Sequence, residues 1–285
     1  MSTSQPPDFA QRRAIAQDTI SRSAAIVQEH ASEAATLDSS FLTLDQLPPL
    51  DASASPNFPP AGITVVNSDS FSAARKIIRE HPEAHGRTAV LNLASDELPG
   101  GGWIVSLSKT QEEALCYSST LYATLKPEYY PWPNVGQGSV AGIFSPGVVI
   151  FKDDLDHGCA ELAPSDRRVV SVITVAAPCR PALTEDLSTF KDPSVLEDLR
   201  GKIRLVYRMA AHNQQQYLVL GAMGCGAYMC PPELVAREMK AALLDDEFRG
   251  WFRKVVFAVY SKGEIGDRNF DIFSRAFSKK FLNTS

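Results

Sequence analysis

Thr88-Ala89-Val90-Leu91-Asn92-Leu93 leads directly into Pro99-Gly100-Gly101-Gly102-Trp103, and this succession constrains the fold more than any other part of the chain. A strand that is apolar on both faces needs helices above and below it. Glycines beyond its carboxyl end let main chain approach a bulky group where a side chain would stand in the way. The rest of the sequence alternates in the same manner. Short β-branched or apolar runs predict strands at Ile63-Thr64-Val65-Val66-Asn67, Gly147-Val148-Val149-Ile150-Phe151, Val169 to Ala176, Tyr217-Leu218-Val219-Leu220 and Lys254 to Tyr260. Apolar residues three or four apart predict helices over residues 10–34, 70–80, 111–125, 195–210 and 234–244. Phe270, Phe273, Phe277 and Phe281 mark one face of a closing helix from Asp267 to Leu282, a stripe read as core packing. Ser and Pro clusters over 35–61, including Pro48-Pro49 and Pro59-Pro60, predict an irregular surface arm. The whole reads as a three-layer α/β/α domain over residues 61–285 around a mixed, largely parallel sheet, preceded by a helical extension and Pro/Ser-rich arm over 1–60.

In such a sheet, ligands lie outside the carboxyl ends of the strands. Two glycine-rich loops meet that condition, Gly100-Gly101-Gly102 and Gly221-Ala222-Met223-Gly224-Cys225-Gly226, and each precedes a predicted helix. Neither carries the Lys-Ser or Lys-Thr of a P-loop or the third spaced glycine of a dinucleotide fingerprint. A diphosphate held by both loops at once fits better. Just beyond the first loop stands Gln111-Glu112-Glu113 at the start of a helix. Adjacent side chains on a helix point about 100° apart, so Glu112 and Glu113 cannot face each other across one bond and should have separate roles. For Glu113 to carry a proton near neutral pH, burial and neighbouring negative charge must outweigh the helix N-terminus. A second reading of the same residues is purely structural: Thr110-x-x-Glu113 is also a capping-box pattern.

Composition limits the partners. A chain that is 44% hydrophobic with a formal charge of −5 can bury a large core, and it lacks the basic field that broad nucleic-acid or anionic-membrane binding requires. No apolar run is long enough to span a bilayer, and the polar start Met1-Ser2-Thr3-Ser4-Gln5 lacks a signal-peptide core, so an intracellular protein, nuclear or cytoplasmic, is expected; a monomer is expected as well. Cys116, Cys159, Cys179, Cys225 and Cys230 are scattered and odd in number, which suits free thiols. Cys225 and Cys230 have no second Cys or His pair nearby to complete a zinc site, and neither metal nor cofactor is expected.

The residues resemble one known family, the microbial-type poly(ADP-ribose) glycohydrolases, whose catalytic domain is similar to a macrodomain. Gly100-Gly101-Gly102 followed by Gln111-Glu112-Glu113 looks like its glycine-triplet and Gln-Glu-Glu signature. Gly221-Ala222-Met223-Gly224-Cys225-Gly226-Ala227-Tyr228 is similar to its second block, and Asn92-Leu93-Ala94-Ser95 to its Asn-Phe-Ala-Ser segment. The resemblance covers roughly residues 60–275. It departs at Tyr228, where the family usually has Phe, at Met229-Cys230, often Gly-Asn, and at Ile104 to Thr110, which lacks the usual small residues. The resemblance implies hydrolysis of ribose–ribose bonds in poly(ADP-ribose) with release of ADP-ribose. It implies that Glu113 transfers the protons and Glu112 contacts ribose hydroxyls. Asn92 and Gln111 would hold ribose and the reacting region, Gly100, Gly101, Gly102, Gly224, Cys225 and Gly226 would line the diphosphate, Ala227 would bind substrate beside them, and Tyr228 would pack on the distal ribose. The alternatives are an ADP-ribose reader with little or no turnover and a hydrolase of mono-ADP-ribosylated substrates.

Overall fold

The computed structural model describes residues 6–278. Seven strands form one sheet in the order β1-β4-β5-β3-β6-β7-β2, and β4 alone runs against the others. In chain order the elements are α1 (Phe9–Glu29), β1 (Ser40–Thr43), β2 (Gly62–Val66), α2 (Ser70–Glu80), β3 (Thr88–Leu93), α3 (Trp103–Ser106), α4 (Gln111–Ser118), β4 (Ala141–Ile150), β5 (Arg168–Val175), α5 (Pro193–His212), β6 (Tyr217–Leu220), α6 (Pro232–Leu243), β7 (Lys254–Ala258) and α7 (Gly263–Ala276). The mixed, largely parallel sheet expected from the sequence is present.

The side-chain alternation of β3 divides the core. Ala89 and Leu91 face the layer built by α5, α6 and α7, where Ile203, Val206, Leu234, Val235 and Phe273 are buried. Val90 faces the opposite layer, with Phe71, Ala74 and Ile77 of α2, Trp103 of α3 and Leu115 of α4. Helices on both faces make the three layers. Two residues further along β3, Asn92 lies on the same side as Val90 and so meets α4, a polar group that this parity places beneath the first glycine loop.

Three expectations need correction. The arm over 35–61 is not wholly irregular: Ser40–Thr43 pairs antiparallel with Ala141–Phe144 and forms one edge of the sheet. β4 begins six residues before the predicted run, because the strand passes Pro146 through a bulge, with register shifting between Ser145 and Val148. α4 ends at Ser118 rather than near 125, since the Ser119 hydroxyl bonds back to the Leu115 carbonyl and Thr120 N–H turns to the Val149 carbonyl of β4. At the last helix, Phe277 stacks on Phe257 and Phe273 packs tilted against it as core, whereas Phe281 lies outside the described residues.

α1 is stitched to the layer that carries the first glycine loop. Arg12 Nε donates to the Leu107 carbonyl at 2.8 Å, and Thr19 Oγ1 donates to the Tyr117 carbonyl at 2.9 Å. The buried Lys152 ammonium reaches Asp18 and Thr19 from beneath. Among the described residues no helix is long and apolar enough to cross a membrane.

Candidate active site

β5, β3 and β6 are neighbours in the sheet and parallel, so Val175, Leu93 and Leu220 end at the same edge. A cavity of about 290 Å³ opens there, walled by Leu93 to Ser95, Val175, Ala177, the second glycine loop and the start of α4. A second cavity of about 410 Å³ adjoins it, sharing Leu93, Gln111, Ala222 and Gly226, and reaches Asp69, Lys109, Lys262 and Asn269. Both are of the size that holds small ligands.

The two glutamates point to different partners, as their helical angle requires. Glu112 turns toward β3: its Oε1 accepts from Asn92 Nδ2 at 3.1 Å and its Oε2 from Ser95 N–H at 2.8 Å. Burial pushes its carboxyl up to about 8, against the lowering effect of those two donors, with the charges of Glu113 and Asp96 adding to the rise. Glu113 is only 6% exposed, yet its carboxyl stands in the cavity wall. Thr110 Oγ1 donates to Glu113 Oε2, and the Thr110 side chain caps no backbone N–H, so the capping-box reading does not hold. Asn92 also donates to Thr174 Oγ1 at 3.2 Å and leaves its Oδ1 buried without a partner.

The carboxylates themselves require a glycine at the middle of the triplet. All three residues have positive φ, +61°, +62° and +75°. A Cβ at Gly101 would stand 2.8 Å from Glu113 Oε1 and 3.1 Å from Glu112 Oε2, and one at Gly100 would press on Tyr122 and Cys116. Of the three, Gly101 lines the cavity, Gly100 is buried behind it, and Gly102 faces Leu98. The main chain therefore lies over both acids as a cover that no side chain could form.

The second loop provides donors. Among the described residues, the backbone N–H groups of Gly224, Gly226 and Ala227 have no acceptor, and all three residues line the cavity. Gly224 (φ +74°) leaves no room for a Cβ, which would fall 2.6 Å from that of Ala177. Such unpaired amides form an anion-binding concavity. Cys225 sits beneath, buried, with its thiol toward the Met223 carbonyl, and Tyr228 closes the wall.

Gln111 lines both cavities and is also bound to the strand end. Its Oε1 accepts from Leu93 N–H and its Nε2 donates to the Leu91 carbonyl, both at 2.8 Å, and to Ser70 Oγ at 3.2 Å. The amide thus continues the β3 ladder and seats α4 on the strand end, which leaves it little capacity for a ligand. Thr174 was not singled out by sequence, Ser95 entered only as the end of the Asn92-Leu93-Ala94-Ser95 segment, and Thr110 only as the opening of a capping-box pattern.

Burial pushes the Cys225 thiol well up and the Cys230 thiol up to about 12, and the Cys230 Sγ lies 3.2 Å from the Pro178 carbonyl. Asp153, Asp154 and His157 come together elsewhere, but Asp153 is paired with Arg75 and Asp154 accepts from Ser72 and the His157 backbone.

Residues 12–153 match the model of the microbial-type PARG catalytic domain, PARG being poly(ADP-ribose) glycohydrolase. The crystal structure of poly(ADP-ribose) glycohydrolase from Thermomonospora curvata is 30% identical, with 94% of this chain and 100% of that one covered and a TM-score of 0.78. The same enzyme bound to the inhibitor ADP-HPD superposes with a TM-score of 0.75 at 30% identity over the same shares. The Deinococcus radiodurans enzyme in complex with ADP-ribose is 31% identical over 84% of this chain and 93% of its own, with a TM-score of 0.67. No curated protein sequence matches the chain. With identity at this level over nearly the whole of both chains, and the matching motifs meeting in one cleft, the chain belongs to the microbial-type poly(ADP-ribose) glycohydrolases.

Proposed function

We propose that the chain hydrolyses the ribose–ribose O-glycosidic bond of poly(ADP-ribose) and releases ADP-ribose, with Glu113 as the group that moves the proton. Such a bond breaks through an oxocarbenium-like transition state, which needs a proton for the departing oxygen and a base for the incoming water. Glu113 gives its proton to the leaving ribose oxygen as the bond from the anomeric carbon breaks. Water then adds to that carbon, and its proton returns to Glu113. No opposed carboxylate is required, because the same group serves each step in turn.

The remaining wall residues have supporting tasks. Glu112, anchored by Asn92 and Ser95, holds ribose hydroxyls from the floor. The free N–H groups of Gly224, Gly226 and Ala227 receive the diphosphate, whose negative charge lies close to the developing cation. The observation that carries the reading is the Glu113 carboxyl in the cavity wall beneath the bare main chain of Gly101.

The test is incubation of the purified protein with poly(ADP-ribose) and measurement of ADP-ribose release. Glu113→Gln should bind ADP-ribose within about threefold of the unmodified protein and lose hydrolysis by about 10²–10⁴-fold. A variant that keeps its rate removes Glu113 from the chemistry. A wild-type protein that binds polymer but releases nothing is a reader.

A further inference from the structure

Tyr228 does not stand alone in the cavity wall. Its hydroxyl donates to Asp96 Oδ1 at 3.0 Å, which joins the second glycine loop to the segment that leaves β3. Asp96 is itself buried and does not line the cavity, so the bond lies behind the wall rather than in the path of a ligand.

Behind Asp96 is a hub with no other evident task. Asn134 Nδ2 donates to Asp96 Oδ1 at 2.9 Å and to the Ala177 carbonyl at 3.0 Å, and Asn134 Oδ1 accepts from Cys179 N–H at 2.7 Å. Trp132 N–H donates to the Asp96 carbonyl at 3.1 Å. The fully buried ammonium of Lys202 donates to the Asn134 carbonyl, and the charge of Asp96 opposes the desolvation that pulls this lysine down to about 8. The loop of Tyr228 is held from its far side as well, since Arg180 N–H donates to the Tyr228 carbonyl at 2.8 Å. Three segments that wall the cavity, the ends of β3 and β5 and the second glycine loop, are thereby fixed to one another through a single carboxylate and a single amide.

A bond between a phenol and a buried carboxylate is among the stronger hydrogen bonds a protein makes. A ring held in this way is already ordered when substrate arrives, and binding does not have to supply that ordering. We propose that Asp96, backed by Asn134 and Lys202, is a positioning residue that sets the Tyr228 ring against the distal ribose of the substrate. The inference rests on the function proposed above. It makes the tyrosine hydroxyl a part of specificity that a phenylalanine ring would lack.

The experiment is steady-state hydrolysis of poly(ADP-ribose), together with ADP-ribose affinity and melting temperature, for Tyr228→Phe, Asp96→Ala, Asp96→Asn and the Tyr228→Phe/Asp96→Ala double variant. Tyr228→Phe should raise KM about tenfold with kcat within about threefold, because the tether serves ground state and transition state alike. Asp96→Asn, which keeps an acceptor for the hydroxyl, should recover most of what Asp96→Ala loses. In the Tyr228→Phe background, Asp96→Ala should cost much less than it does alone. Additive costs in the double variant, or a Tyr228→Phe variant with unchanged KM, overturn the proposal. So does loss by Asp96→Ala that follows melting temperature alone. An unmodified protein that neither binds ADP-ribose nor hydrolyses polymer counts against the function instead, so the two failures are distinguishable.

Discussion

Glu112 is the residue whose charge state most depends on the fold. Its carboxyl is raised from its ordinary 4.5 to about 8, so between those limits the folded chain holds a proton that the unfolded chain releases. Stability therefore falls as pH rises through that window, and Asp69, raised from 3.8 to about 6 by burial, adds a slope of the same sign over its own range. Glu112→Gln should remove the larger slope: its melting temperature relative to the parent should be higher at pH 8 than at pH 5, by the equivalent of about 1 kcal/mol or more. A difference independent of pH would contradict this. Gly101→Ala should cost about 1–3 kcal/mol through its positive φ and, in addition, displace both carboxylates, so hydrolysis should fall further than stability accounts for. The glutamates and glycines were legible in the sequence because their spacing is local. Asp96, Asn134 and Lys202 were not, since a buried polar group acquires its meaning from partners far along the chain.

At the scale of elements, periodicity located most strands and helices, and the misses share a cause. β1 is short, lies in a Ser- and Pro-rich arm, and is a strand only because the β4 edge offers it hydrogen bonds. α4 stops where Ser119 and Thr120 find better partners in their own turn and in β4 than a further helical turn would give. The attachment of α1 was likewise invisible. Thr19 donates to the Tyr117 carbonyl near the end of α4 and accepts from Lys152, so Thr19→Val strips that carbonyl of its donor and removes one acceptor of the ammonium, which keeps Asp18. It should destabilise the protein by about 1–3 kcal/mol in chemical denaturation. A loss below a few tenths of that would mean that α1 only rests on the surface.

The whole molecule is one sheet with a cleft at the carboxyl ends of its three central parallel strands. Because Ser40–Thr43 completes the sheet beside β4, and Ala16 of α1 is buried in the layer that contains α4, a chain begun at residue 61 should expose an edge strand and an apolar face. Its expression should yield aggregated protein, and soluble two-state unfolding of that fragment would show the extension to be dispensable. What the sequence determined by itself was whatever depends on neighbours along the chain: the alternation of strand and helix, the backbone freedom of the glycine triplet, and the angle that keeps Glu112 and Glu113 apart. Tertiary structure decided which of those groups meet. Parity along β3 places Asn92 under Glu112, the strand order brings two distant glycine loops to one cavity, and a buried carboxylate holds Tyr228. Hydrogen bonds and burial between segments far apart in the chain leave no periodic mark in the sequence, which is why the residues could be singled out before their geometry.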